Sequence, residues 1–132
     1  MKQLWAPWRM TYIQQISKEE GCIFCQKMRE EDGREALVLA HTGHSVIMLN
    51  KYPYANGHLL LAPKRHEKDL SSLSAVEYAD LNEALRRAVD IVRETYYPAG
   101  INLGMNLGKC AGAGIEDHLH WHIVPRWEGD NN

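Results

Sequence analysis

Cysteine is scarce in this 132-residue chain: Cys22 and Cys25 form one close pair and Cys110 stands alone. An odd, sparse set of three is a poor disulfide framework, which leaves metal or redox use of the pair open. Charge of one sign is also lacking, with 15 Lys+Arg against 17 Asp+Glu and a formal net of −2. That balance argues against the broad electrostatic grip by which proteins hold nucleic acid or anionic membranes, so any phosphate chemistry must be local. No apolar run approaches the ~18 residues of a membrane span. The start, Met1-Lys2-Gln3-Leu4-Trp5-Ala6-Pro7, lacks the apolar core of a signal peptide, so a cytoplasmic protein is expected. Internal repeats and low-complexity tracts are missing as well. What remains is ordinary globular composition, 45% hydrophobic and 24% charged, in a length that suits one domain with its own core. A single domain over 1–132 is expected, with 1–20 as an aromatic N-terminal arm (Trp5, Trp8, Tyr12) that packs on the body or on a second subunit.

Against these absences stands histidine, seven in all. Three of them alternate in His118-Leu119-His120-Trp121-His122.

The hydrophobic pattern predicts an α+β domain with a largely antiparallel sheet, one long helix and a short N-terminal helix. The short helix is expected from Ile23 to about Asp32, ending near Gly33. Strands are expected at Ala36–Ala40, Ser45–Leu49 and His58–Ala62, the first two joined across a turn at His41-Thr42-Gly43-His44. Ser74 and Glu77 make a capping box for a helix running to Tyr96, on which Leu81, Leu85, Val89 and Val92 recur at helical spacing, and Pro98 and Gly100 stop it. A fourth strand begins at Ile101–Leu103, a glycine-rich loop follows over Gly104–Gly114, and the last strand is expected at Leu119–Val124.

In a strand, alternate side chains share a face at roughly 7 Å intervals, so His118, His120 and His122 would face one way and Leu119, Trp121 and Ile123 would face the core. Imidazole near neutral pH serves as nucleophile, acid, base or metal ligand, and three in strict alternation are more than a polar face requires. Two chemistries compete. A catalytic zinc held by two of these histidines at i and i+2 and a third ligand would activate water. Alternatively, one neutral histidine attacks phosphorus while its neighbours hold the phosphoryl oxygens. The second needs a phosphate cradle, and the glycine-rich loop just before the strand could supply one through its backbone N–H groups. That loop matches neither a P-loop nor a dinucleotide-binding fingerprint.

His118-Leu119-His120-Trp121-His122-Ile123-Val124 resembles the His-φ-His-φ-His-φ-φ pattern (φ, hydrophobic) of the histidine triad superfamily of nucleotide hydrolases and transferases. Leu49-Asn50, Gly57-His58-Leu59-Leu60-Leu61-Ala62-Pro63-Lys64-Arg65-His66 and Ala111-Gly112-Ala113-Gly114 fall in the family's order, so the resemblance spans about residues 22 to 127. Trp5-Ala6-Pro7-Trp8-Arg9, Cys22-Ile23-Phe24-Cys25 and Pro125-Arg126-Trp127 look most like a prokaryotic branch that includes diadenosine polyphosphate phosphorylases.

The resemblance implies catalytic roles for His120, as the nucleophile that forms a covalent nucleotidyl-histidine, and for His122, at the α-phosphate. It implies nucleotide binding by Asn50, at the ribose hydroxyls, and by Asn106, Gly112, Gly114 and His122, at the phosphates. His58 would support the active-site strand from beneath. Cys22, Cys25, His66 and His118 would hold a structural zinc, leaving one triad histidine each for metal, attack and phosphate. A divalent cation is expected to accompany a polyphosphate substrate, and a homodimer is expected. Where several relatives carry Gln-Ser or Gln-Thr before the triad, this chain has Gly114-Ile115-Glu116-Asp117, so His122, Lys109 or water is left to protonate the leaving group. Relatives of the branch often continue past the position of Asn132, so part of the substrate site is expected from beyond it or from a partner subunit. Cys110, His41 and His44 carry no expected role, and Lys64 and Arg65 read as a solvated strand end. Two rival classes use the same residues: a metal-dependent hydrolase, and a nucleotide-binding or zinc-stabilised interaction protein without turnover.

Overall fold

The computed structural model describes residues 21–30, 37–50, 57–113, 115 and 117–130. The expected N-terminal arm and Gly114 lie outside them. A helix α1 (Ile23–Arg29) precedes strands β1 (Val38–His41), β2 (Ser45–Leu49) and β3 (Leu59–Pro63), the long helix α2 (Ala75–Tyr96), and strands β4 (Gly100–Met105) and β5 (Trp121–Arg126). The five strands form one antiparallel sheet in the order β1-β2-β3-β5-β4. This is the α+β architecture expected, with β5 carried into the middle of the sheet.

Strand alternation divides the sheet into two faces with two cores. Ile47, Leu59, Leu61, Leu119 and Ile123 pack against Leu81, Ala84, Ala88 and Val92 of α2. Val46, Met48, Leu60 and Ala62 point the other way and are capped by Phe24 of α1. Helix α2 begins as its sequence demands: Ser74 accepts from Glu77 N–H at 3.1 Å while Glu77 accepts from Ser74 N–H at 2.9 Å. It ends at Tyr97, which takes the left-handed conformation at φ 49°.

Several boundaries differ from expectation, β3 by one residue at each end and β1 and β5 by one and two at their C-terminal ends, and four others have a local reason. Helix α1 stops at Arg29 because Glu30 is extended, with φ −69° and ψ 135°. Strand β1 starts at Val38, since Leu37 adopts φ 64°, which no strand tolerates. Strand β4 takes in Gly100 and Gly104, which pair with Arg126 and His122, although glycine reads as a strand breaker. Strand β5 begins at Trp121, not Leu119, because the Leu119 N–H donates to the Glu67 carbonyl at 2.8 Å instead of to a neighbouring strand. His118 and His120 therefore lie on an extended lead-in, and of the three histidines only His122 stands in the ladder. Pro125 is tolerated in β5 because β3 pairs with β5 only through Trp121, His122 and Ile123, so no β3 partner is left waiting for its missing N–H.

A single carboxylate ties α2 to the β1–β2 turn. Asp80 Oδ2 accepts from Thr42 Oγ1 at 2.6 Å, Ser45 Oγ at 2.8 Å and His44 N–H at 3.0 Å. Burial would raise the Asp80 pKa, but the bonds from Thr42, Ser45 and His44 outweigh it and hold the carboxyl below its usual range. Ser45 is fully buried. Asp80→Ala should strand its hydroxyl and cost about 1–3 kcal/mol, read as a lower urea midpoint with an unchanged slope.

Candidate active site and metal centre

The face of the sheet opposite α2 carries the candidate site residues. His120 is 6% exposed, and its Nδ1 donates to the main-chain carbonyl of His118 at 2.9 Å. A carbonyl can only accept, so the proton sits on Nδ1 and the lone pair on Nε2. The His122 ring stands edge-on to His120 with centroids 4.9 Å apart. Its Nδ1 lies 3.0 Å from Nε2 of His58, and the Asn50 Nδ2 lies 3.4 Å from the other nitrogen of His58. An amide nitrogen can only donate. His58 therefore accepts on Nδ1 and donates from Nε2 to His122 Nδ1, which leaves the His122 proton on Nε2. His58 sits beside His122 on the same face rather than beneath the strand, a correction that follows from β3 register: Leu60 opposes His122, so His58 is its diagonal neighbour.

Asn106 leaves the end of β4 and donates from Nδ2 to the Gly112 carbonyl at 3.4 Å. Gly112 has φ +96°, and a Cβ there would sit 3.6 Å from the Asn106 amide. Lys109 and Cys110 lie between them in an exposed 3-10 turn (Lys109–Ala111).

The other end of the same face gathers four soft donors. Cys22 Sγ is 3.3 Å and Cys25 Sγ 3.7 Å from His118 Nδ1, and Cys25 Sγ is 3.5 Å from His66 Nδ1. All four donor atoms lie within 4.8 Å of one another, and the group could hold a metal ion. Sulfur and nitrogen arms of about 2.3 and 2.0–2.1 Å at a tetrahedral angle would separate S from N by about 3.6 Å, in line with these spacings. His118 is prepared for ligation. Its Nε2 donates to the Pro63 carbonyl at 2.7 Å, which puts its lone pair on Nδ1, facing the sulfurs. Burial lowers its pKa and keeps the ring neutral, while burial pushes the Cys22 thiol up. Four protein donors would fill a tetrahedral shell, with none of the open positions a catalytic ion keeps.

Residues 32–129 match the HIT domain, three quarters of the chain. The chain belongs to the HIT family. It is 34% identical to an AP-4-A phosphorylase of Mycobacterium tuberculosis, with all of this chain and 71% of the relative covered. A bis(5'-adenosyl)-triphosphatase of Dictyostelium discoideum is 33% identical over 74% of this chain and 64% of its own length. Among solved structures, a histidine triad nucleotide-binding protein from Sulfolobus tokodaii superposes with a TM-score of 0.71 at 30% identity, covering 83% of this chain and 71% of that one.

The fold gathers Asn50, His58 and His122 into one hydrogen-bonded chain with the His120 ring packed against His122, and brings Cys22 and Cys25, which precede the matched segment, together with His66 and His118. Arg65 is engaged by Glu77 at 2.9 Å and Glu67 at 3.1 Å, and His41 and His44 are exposed. Two contributors went unread in the sequence. The Pro63 carbonyl orients His118, and main-chain acceptors leave no signal in residue type. The Phe24 ring lies against both His118 and His120, at centroid distances of 5.1 and 4.9 Å.

Proposed function

We propose that this HIT protein transfers a nucleotidyl group from a dinucleoside polyphosphate, or a related nucleotide ester, to His120 and then to water or inorganic phosphate. The observation that carries this reading is the Nδ1–H bond from His120 to the His118 carbonyl, which leaves the Nε2 lone pair as nucleophile. Nε2 forms the N–P bond to the α-phosphorus as the P–O bond to the leaving polyphosphate breaks. The acceptor then attacks phosphorus from the opposite side, its proton passing to His122 in place of the one given to the leaving group, and the N–P electrons return to Nε2. His122, with its proton on Nε2, donates to an α-phosphate oxygen where charge develops and can protonate the leaving oxygen. Asn50 is assigned the ribose hydroxyls, and Asn106 with the Gly112 backbone the remaining phosphates.

The Cys2His2 donor set suits zinc, which when bound pins α1 to the sheet and does no bond-making. A divalent cation would accompany the polyphosphate as its counter-ion. We assign a homodimer through the edge strand β4, where Leu103 is 46% exposed. No helix among the described residues is long and apolar enough to cross a membrane. Unpaired thiols and a thiolate metal site fit a reducing, cytoplasmic setting.

Incubation with diadenosine tetraphosphate, with and without inorganic phosphate, tests the reading by chromatography. ADP formed only with phosphate makes the chain a phosphorylase, and AMP with ATP makes it a hydrolase. No mononucleotide under either condition would overturn the proposal.

A further inference from the structure

The chain's single phenylalanine lies between its two paired cysteines, in Cys22-Ile23-Phe24-Cys25. Cys22 is the N-cap of α1 and Cys25 lies in its first turn. Phe24 is the one buried residue of that helix, 1% exposed. A helix of seven residues has little stability of its own, so its placement rests on what grips it. The grips are the two thiols, turned toward His66 and His118, the Phe24 ring, and the partly buried Ile23 and Met28 packed on the same cluster. That ring spans the two centres: it is tilted 42° against His118 and 39° against His120, at distances typical of packed aromatic pairs.

His120 needs two constraints to present Nε2. The His118 carbonyl selects the tautomer, as shown above, and the angle of the ring about its χ2 bond is set by what packs on its faces and edges, the His122 ring at 4.9 Å among them. Phe24 contributes to that packing at the same centroid distance, 4.9 Å. A buried ring packed at that distance resists rotation of the imidazole. His118 serves both ends, ring to the thiols and carbonyl to the nucleophile.

We propose that Phe24 is a positioning residue for His120, and that through it the state of the Cys22/Cys25/His66/His118 centre sets how firmly the nucleophile is held. The metal-site cysteines thus act on the chemistry through a side chain that is not a ligand. This inference deepens the nucleotidyl-transfer reading and rests on it for its kinetic arm alone.

The test compares the zinc-loaded parent with Phe24→Leu, which keeps an apolar side chain and removes the ring. Long-range ¹⁵N spectra report the His120 tautomer, and single-turnover labelling by diadenosine tetraphosphate reports attack. The parent is expected to show a dominant Nδ1–H tautomer. Phe24→Leu should retain one metal per chain and nucleotide affinity, show a mixed tautomer, and label about tenfold more slowly, as losses beside a site's direct contacts do. Parent stripped of metal should show the same mixed spectrum, and stripping Phe24→Leu should add nothing, because both changes remove one constraint. Phe24→Met replaces the leucine variant should that fail to fold. A loaded variant with the parental His120 spectrum, or effects of substitution and stripping that simply add, would overturn the inference. An unlabelled parent would sink the transfer reading by itself, since the spectra need no substrate.

Discussion

Replacing His120 by alanine is expected to leave a folded chain that binds nucleotide as the parent does and releases no mononucleotide. The imidazole is nearly buried, but its Nδ1 bond runs to a main-chain carbonyl, and that carbonyl can turn to water in the space left by the ring. The loss of turnover should reach about 10³–10⁶-fold, between the range for an acid–base group and that for a covalent nucleophile. His120→Asn supplies the control, since its amide can still donate to the His118 carbonyl but cannot form the phosphoramidate. His122→Ala should behave differently. It removes a donor to the phosphoryl oxygens and keeps the nucleophile, so slow labelling of His120 should persist while turnover falls by about 10²–10³-fold. Comparable turnover by His120→Ala would overturn the nucleophilic assignment, and binding without turnover in the parent would favour a nucleotide-binding protein.

The site was legible where side-chain chemistry repeats at a backbone period, and hidden where the main chain does the work. His118, His120 and His122 announce themselves because alternation forces them onto one face, and that face is where the structure puts them. Their setting was harder to read. The same alternation suggested a regular strand from Leu119, whereas the Glu67 carbonyl takes the Leu119 N–H and ends the ladder at Trp121. A carbonyl's competition for one N–H cannot be seen in residue type. Nor could pairing register be read, and register is what puts His58 beside His122 instead of under it. The long helix was the easiest element because its period, its capping box and its stop signals agree. Phe24 was overlooked for the opposite reason: one aromatic residue in a short apolar segment has no period, and only the fold shows that its ring touches two histidines from the far end of the chain.

Removing the metal should have the second large effect, on stability first and on rate second. The donors come from three separate parts of the chain, α1, the segment after β3 and the lead-in to β5, so an ion held by all four would cross-link elements otherwise joined by the Phe24 cluster and by the bonds of His118 and Leu119 to Pro63 and Glu67. A ligand that binds only the folded form at about a thousand times its dissociation constant adds about 4 kcal/mol. For a chain of this size each kcal/mol moves the thermal midpoint by about 3–5 °C, so stripping with a chelator should lower it by about 10–20 °C. Cys25→Ser should reproduce most of that loss and abolish one-to-one zinc stoichiometry in elemental analysis. Purified protein with no bound metal and a midpoint indifferent to chelator would remove the structural centre from the account. The rate separates a structural ion from a catalytic one. If the ion only positions His118 and Phe24, stripped but folded protein held below its lowered midpoint still labels His120, about tenfold more slowly. If the ion performs the chemistry, labelling stops altogether in protein whose circular dichroism is unchanged. The protonated Nε2 of His118 on the Pro63 carbonyl predicts the first outcome, because that bond continues to hold the ring and its carbonyl near their places after the ion has gone.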